Sequence, residues 1–122
     1  AILSALAPQE VQAILARTRF VARTNNTRTT PEALLEDLAA TRARGYAIDD
    51  VENEDGIRCV GAPVYRHTGQ VVAAISCSGP VFSVTPQEVE PLGRLVADVA
   101  RAISRAMGYA GEPEPPRAGA DR

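Results

Sequence analysis

Two β-rich runs in the middle of the chain constrain its fold more than any other feature. The first run is IRCVGAPVYR, residues 57–66, and the second is QVVAAISCS, residues 70–78. His67-Thr68-Gly69 lies between them, and a short connection containing glycine between two such runs is typical of a β-hairpin. A shorter run, Tyr46 to Asp49, precedes the hairpin. The sequence therefore predicts antiparallel strands in which the two long runs are neighbours.

Ala1 to Leu6 is expected to be the end of a helix, and three complete helices are predicted around the strands. The first begins at Pro8, and the second begins at Thr30-Pro31, where a hydroxyl can cap the helix and proline suits its first turn. Gly45 is expected to end the second helix, because glycine readily takes the left-handed conformation found at helix ends. The third opens with Thr85-Pro86-Gln87-Glu88, which has the form of a capping box. Its apolar residues, three or four positions apart, predict one stripe that packs on the sheet: Val89, Leu92, Val96, Val99, Ile103 and Met107.

The order of these elements and the composition of the chain limit its class. Helices, then antiparallel strands, then one helix predict an α+β fold rather than a series of βαβ units. The chain has 122 residues and a formal net charge of -2, which suits one domain and argues against a nucleic-acid-binding surface. No apolar run approaches the roughly 18 residues of a membrane span. Two cysteines are too few for a disulfide scaffold, so free thiols and a cytoplasmic location are expected.

Five carboxylates lie close together before the hairpin, at positions 49, 50, 52, 54 and 55. They do not match the calcium-binding loop of an EF-hand, because Val51 stands where the first ligand is needed. No zinc site is predicted, since His67 is the only histidine and has no second ligand at close spacing. Asp49 differs from the other acids, because it follows an apolar strand and can lean against the sheet. The other acids are expected in a solvated loop.

The hairpin carries two further candidate groups. Cys59 with His67 as its base would make a nucleophile, but along one strand they are about 26 Å apart, beyond the reach of proton transfer. Ser76 and Ser78 alternate with apolar residues. One face of that strand must therefore meet something polar, and both solvent and a ligand remain open.

The segment RGYAIDDVENEDGIRCVGAPVYRHTGQVVAAISCSGP resembles the C-terminal signature of the IclR family of bacterial transcriptional regulators. The shared pattern is GY-x-x-DD, then G-x-x-C, then AP, then G-x-VVAA-x-S-x-SGP. The flanking segments AILSALAPQEV and TTPEALLEDLAATRARGY agree with it. The resemblance covers the chain from Ala1 to about Gly108.

This resemblance implies that residues 1–108 are part of an effector-binding domain with a GAF-like, profilin-like sheet, truncated at its N-terminus. Family members also carry an N-terminal winged helix-turn-helix, through which alone the protein would contact DNA. The expected function is to sense a small organic or aromatic acid and to form dimers or tetramers, with no cofactor, metal or catalytic residue and no membrane contact. Two alternatives remain: a small enzyme that uses the acidic loop and Cys59, and an oligomerisation module without a ligand.

Six positions of the chain match ligand positions of the family. They are Asp49, Ile57, Cys59, Gly61, Ser76 and Ser78. The chain departs from the family pattern at Val51, where Glu is usual, at Asp55, where Pro is common, and at Gly61, where Ala is common. Gly61 is expected to enlarge the pocket slightly.

The loop of the hairpin decides whether these residues share a face. A loop of two residues pairs Cys59 with Ser78, and a loop of four residues pairs it with Ser76. A loop of three residues with Gly69 in a bulge would set Cys59 across from Cys77 and turn the serines away. An even loop is predicted, since the resemblance puts Cys59 and both serines in one pocket.

The last residues are unlike the rest of the chain. From Gly108 onward the sequence is GYAGEPEPPRAGADR, rich in Gly and Pro. Such a composition is expected to bury nothing, so residues 109–122 are predicted to be a disordered tail.

Overall fold

The computed structural model describes residues 1–111 and confirms the predicted α+β fold. Its antiparallel sheet has the strand order β1 (Ala47–Asp50), β2 (Ile57–Tyr65) and β3 (Val71–Pro80). The helices are a short 3₁₀ helix (Leu3–Ala5), α1 (Pro8–Ala16), α2 (Pro31–Arg44) and α3 (Pro86–Ala106). Within this described part of the chain, no helix is both long and apolar enough to cross a membrane.

The ends of α2 form as the sequence predicts. The Thr30 hydroxyl accepts a hydrogen bond from the Ala33 amide at 3.2 Å. At the other end Gly45 has a φ of 88°, and its N–H donates to the Thr41 carbonyl at 2.9 Å. The capping box predicted for α3 is wrong, because the Thr85 side chain makes no capping bond and its carbonyl accepts from the Glu88 amide instead.

The main core lies between α3 and one face of the sheet. Val60, Ala62 and Val64 of β2 are buried there against Val96, Ala97 and Ala100 of α3, with Tyr46 at the edge of the cluster. A second cluster joins the helices at the start of the chain, where Val11 and Leu15 of α1 pack with Leu38 of α2.

The apolar stripe predicted on α3 is wrong at two positions. Val99 and Met107 are each 44% exposed. The positions that face the sheet instead are small, namely Gly93, Ala97, Ala100 and Ser104. Small side chains let the helix approach the strands closely, and the periodicity of large apolar residues does not reveal that preference. Ser104 also bonds to β2, because its hydroxyl accepts from the Tyr65 amide at 3.0 Å.

The hairpin has the predicted pairing of strands, but its loop length differs from the prediction. Its loop is His67-Thr68-Gly69, closed by a bond from the Arg66 amide to the Gln70 carbonyl at 2.9 Å, so the even loop is wrong. Gly69 takes a φ of 82°. The register then shifts between Val64 and Tyr65, because Val64 pairs with Ala73 and Tyr65 with Val71. This one-residue shift offsets the odd loop, and Cys59 lies opposite Ser78 as predicted.

Tyr109 contradicts the expectation that nothing from Gly108 onward is buried. It is half-buried, and its ring stacks on that of Tyr65 with 5.1 Å between centroids. Residues 112–122, most of the predicted disordered tail, lie outside the described residues. The domain limit at residue 108 stays a prediction.

Candidate functional site

The structure brings all six predicted site residues to one face of the sheet. Paired residues of antiparallel strands point to the same side, as do residues two apart on one strand. Asp49, Cys59 and Ser78 are direct partners across the three strands and form one row. Gly61 and Ser76 pair in the next row, and Ile57 lies at the other end, opposite Pro80. This face is opposite to the one that packs on α3.

The row of Asp49, Cys59 and Ser78 combines three kinds of polar group. Asp49 and Cys59 are half-buried, while Ser78 and the neighbouring Ser76 are exposed on the edge strand β3. One oxygen of the Asp49 carboxylate, Oδ1, accepts from the Glu52 amide at 2.7 Å. Within residues 1–111 its other oxygen is free to accept from a ligand. The row therefore offers a carboxylate acceptor at one end and hydroxyl donors at the other.

Gly61 sets the amount of space beside this row. A Cβ atom at this position would lie 3.4 Å from the Ile75 carbonyl oxygen, 3.5 Å from the Ser76 Cβ and 3.9 Å from the Ala1 Cβ. These are ordinary contacts, so alanine fits here without strain and would remove space above the sheet. Ala1 covers this part of the face.

A network of charged side chains lies behind Asp49. Arg28 bonds to Glu52 through its Nε at 3.2 Å and to Asp37 of α2 at 3.4 Å. Arg44 reaches the same Asp37 oxygen at 3.9 Å. Burial raises the pKa of Glu52, and the nearby carboxylates of Asp37 and Asp49 add to the rise. The hydrogen bond from the Asp50 amide and the charge of Arg28 lower this pKa in part.

Sequence reasoning missed a second group of residues near the site. In the segment before α2, Thr24, Asn26 and Thr27 bond to the turn between β1 and β2. We call these three side chains the polar clasp. The signal in the sequence is the close spacing of short polar side chains in TNNT, which favour hydrogen bonds to backbone groups.

A large cavity lies away from the predicted face. Its volume is about 910 Å³, and it opens between the C-terminal ends of α2, β2 and α3. Arg42, Arg44, Arg101 and Arg105 line it, and none of the six predicted residues does. Arg42 already bonds to the Ser4 carbonyl at 3.4 Å and Arg44 to the Tyr46 carbonyl at 2.8 Å. Arg42 and Arg44 thus hold neighbouring segments together, and we prefer the sheet face as the candidate site.

The catalytic and metal alternatives gain no support from the geometry. Cys59 donates to the adjacent Val60 carbonyl at 3.5 Å, and His67 is exposed in the hairpin loop at the far end of β2. Cys59 and Cys77 are both free thiols. Among residues 1–111, no group of three or more His, Cys, Asp or Glu side chains could hold a metal ion.

Comparison with known protein families matches nearly the whole described chain. Residues 1–105 match the model for "Bacterial transcriptional regulator IclR C-terminal". The acetate operon repressor of Salmonella typhimurium is 39% identical over 108 residues, which cover 88% of this chain and 39% of that protein. The chain thus spans about two fifths of the length of the curated relatives that it matches.

Solved structures agree with this match. The Thermotoga maritima IclR structure has a TM-score of 0.84 and 38% identity, covering 88% of this chain and 44% of that chain. The inducer-binding domain of the PobR transcription factor from Acinetobacter, a double mutant in complex with 3-hydroxybenzoic acid, has a TM-score of 0.69 and 28% identity. That match covers 81% of this chain and 59% of that one.

Proposed function

The chain belongs to the IclR family of bacterial transcriptional regulators, as a C-terminal domain, and from that membership we propose that it senses a small organic acid. In this proposal the acid binds on the sheet face that carries Asp49, Cys59, Gly61, Ser76 and Ser78, with Ile57 at its end. Binding shifts an equilibrium between association states of the chain. A winged helix-turn-helix in the longer protein would transmit that shift to DNA.

One observation carries the proposal: the row of Asp49, Cys59 and Ser78 across three strands, beside Gly61 and Ser76. Residues from three strands converge there on a face that is not used by the main core. A specific ligand site needs a few polar groups that converge on one space. The row meets that requirement within a width of about two strand spacings, or roughly 10 Å.

The chemistry of the row favours an acid that also carries a hydrogen-bond donor. Serine hydroxyls can donate to a carboxylate, whereas an ionised Asp49 can only accept. A hydroxy acid satisfies both ends. The acid bound by the PobR domain, 3-hydroxybenzoic acid, has both groups, which supports this class without naming the effector of this chain.

Two other functions are weaker. An enzyme built on Cys59 would need a base, and His67 lies at the far end of the strand. The similar curated proteins are regulators and repressors of transcription. A module that only associates would not need polar groups converging on an open face. We therefore propose a regulatory domain without catalytic activity, which acts in the cytoplasm, where a regulator meets bacterial DNA.

A thermal-shift screen of small carboxylic acids tests this function. An acid present at 100 times its dissociation constant should add about 2.7 kcal/mol to the stability of the chain, and 3-hydroxybenzoate is a suitable first member. Asp49→Asn and Gly61→Ala should reduce the shift, the first by removing an acceptor and the second by removing space. Asp55→Asn, an exposed acid in the nearby turn, is the matched control.

The same screen can exclude the proposal. Sedimentation velocity, run with and without a stabilising acid, should show a change in association state. Shifts that persist in both Asp49→Asn and Gly61→Ala would place the ligand elsewhere, with the arginine-lined cavity as the next site to test. No stabilisation by any acid would favour the module without a ligand.

A further inference from the structure

We propose that the polar clasp of Thr24, Asn26 and Thr27 is a positioning device that fixes the Asp49 carboxylate at the edge of the binding face. The three side chains hold the turn between β1 and β2 in a conformation that it would not keep alone. The role in ligand binding rests on the function proposed above, whereas the effect on Asp49 does not.

The first step is a match between three side chains and three consecutive carbonyls. Asn26 Nδ2 donates to the Asp50 carbonyl at 2.9 Å, Thr24 Oγ1 to the Val51 carbonyl at 2.5 Å, and Thr27 Oγ1 to the Glu52 carbonyl at 2.6 Å. Each of these three carbonyls thus accepts from a different side chain, and Thr24 Oγ1 also reaches the Glu52 carbonyl at 3.5 Å. All three donors belong to a segment more than 20 positions earlier in the chain. Such a pattern determines the path of the turn at three successive peptide units.

The second step is backbone strain at the centre of this match. Val51 has a φ of 59°, and within residues 1–111 it is the one residue other than glycine with a positive φ. A β-branched side chain is strongly disfavoured in this region. Strained residues persist where the surrounding structure over-determines them, and the clasp bonds on both sides of Val51 supply that restraint.

The third step connects the turn to Asp49. The Glu52 N–H donates to Asp49 Oδ1 at 2.7 Å, and Glu52 Oε2 in return accepts from the Asp50 amide at 2.9 Å. The Glu52 carbonyl is the group that Thr27 holds. Since the path of the chain at Val51 and Glu52 determines where this N–H points, a relaxed turn would release one oxygen of the Asp49 carboxylate.

The fourth step is the rigidity of the clasp itself. Thr27 Oγ1 accepts from the amides of Arg23 and Thr24, both at 2.9 Å, and Thr24 Oγ1 accepts from the Asn26 amide at 3.0 Å. Each threonine hydroxyl therefore donates to the turn and accepts from its own segment. Arg28 adds an anchor from this segment to both Glu52 and α2. A segment so restrained can impose a conformation on the turn.

The test removes the hydroxyls without changing the shape of the side chains. Thr27→Val deletes one bond to the turn, and Thr24→Val deletes two, to the Val51 carbonyl and, at 3.5 Å, to the Glu52 carbonyl. Thr24→Ser and Thr27→Ser keep these bonds. Thr29→Val, at an exposed position of the same segment, is the matched control. Amide hydrogen exchange of Glu52, followed by NMR on the 122-residue chain, reports its bond to Asp49 directly, and the Gly45 amide at the end of α2 serves as an internal reference.

We expect about tenfold faster exchange at Glu52 in both valine variants, with Gly45, both serine variants and Thr29→Val unchanged. Val51→Asn relieves the strain, because asparagine tolerates a positive φ. It should restore part of the protection when combined with Thr27→Val. Unchanged exchange at Glu52 in both valine variants overturns the proposal. If exchange at Glu52 is equally fast in Thr27→Val and in Thr27→Val combined with Val51→Asn, the role of strain at Val51 is overturned.

A titration with 3-hydroxybenzoate separates this inference from the proposed function. Weaker binding in the valine variants, with unfolding midpoints close to that of the wild type, supports positioning for a ligand. Unchanged binding despite faster exchange at Glu52 contradicts that part. Absence of binding to the wild type by every acid of the screen counts against the proposed function alone, and hydrogen exchange still decides whether the clasp fixes Asp49.

Discussion

At the residue scale, a neighbour that is distant in sequence requires glycine at position 93. It is buried within α3, and a Cβ atom there would lie 2.3–2.5 Å from three ring atoms of Tyr46. Real Cβ atoms do not approach other atoms so closely, and the ring, itself buried in the core, has little room to move. Glycine has a low helix propensity, but at position 93 it makes the space in which the Tyr46 ring packs against α3.

Gly93→Ala should destabilise the chain despite the higher helix propensity of alanine. The propensity gain is about 0.5–1 kcal/mol, whereas overpacking a core costs about 1–3 kcal/mol. We expect a net loss of about 1–2 kcal/mol, measured by urea denaturation. Gly111→Ala, where no atom lies within 4 Å of the added Cβ, is the control. A stability gain in Gly93→Ala would contradict the packing of Tyr46 on α3.

At the element scale, the hairpin shows how two irregularities produce a regular result. Three loop residues would by themselves turn the serines of β3 to the core face. The register shift at Val64 and Tyr65 adds one residue on β3, at Val72, and turns them back. Beyond the end of β1 the Tyr65 amide has no strand partner and bonds to Ser104 of α3. The third helix thus stabilises the part of β2 where the register changes.

A cross-linking experiment tests this register. Directly opposed residues of antiparallel strands have Cα atoms about 4.5–5.5 Å apart, which is within the range that a disulfide spans. Ser78→Cys combined with Cys77→Ala should therefore form an intramolecular disulfide with Cys59 under mild oxidation, measured by thiol titration and mass spectrometry. The wild type should keep both thiols, because Cys59 and Cys77 lie on opposite faces. A disulfide in the wild type and none in the variant would mean that the register is shifted by one residue.

At the scale of the whole molecule, one cluster of charges connects three parts of the chain. Arg28, Glu52 and Asp37 link the segment before α2, the turn between β1 and β2, and α2 itself. Burial raises the pKa of Glu52 above its ordinary value of 4.5. The Glu52 carboxyl therefore binds its proton more tightly in the folded chain than in the unfolded chain, and stability is linked to pH.

The sign of this linkage predicts how stability changes with pH. The contribution of Glu52 is fully present below pH 4.5 and is lost as the pH rises through its raised pKa in the folded chain. Relative to Glu52→Gln, the free energy of unfolding of the wild type should thus fall as the pH rises from 4 to 7. Urea denaturation at several pH values measures this difference, and Glu54→Gln in the exposed part of the turn controls for charge alone. A difference that grows with pH would show that the hydrogen bond from the Asp50 amide and the charge of Arg28 together outweigh burial.

Local signals in the sequence determined the elements and their class. The caps at Thr30 and Gly45, the β-rich runs and the glycine-containing loop act over a few residues, so they can be interpreted without knowing the rest of the fold. The alternation of side chains along β2 and β3 also determined which residues share a face. The resemblance at GY-x-x-DD and S-x-SGP added the family and the six positions, and the structure brings these positions together.

The tertiary structure alone decided the features that depend on distant partners. The register shift at Val72 depends on the burial of the β2 valines against α3. The face of α3 that packs there was determined by small residues and by Tyr46. The clasp holds a turn more than 20 residues further along, through hydroxyl and amide groups that are ordinary loop residues in the sequence. Hydrogen bonds and close packing act over a few ångströms in space at any separation along the chain, so no local pattern could indicate them.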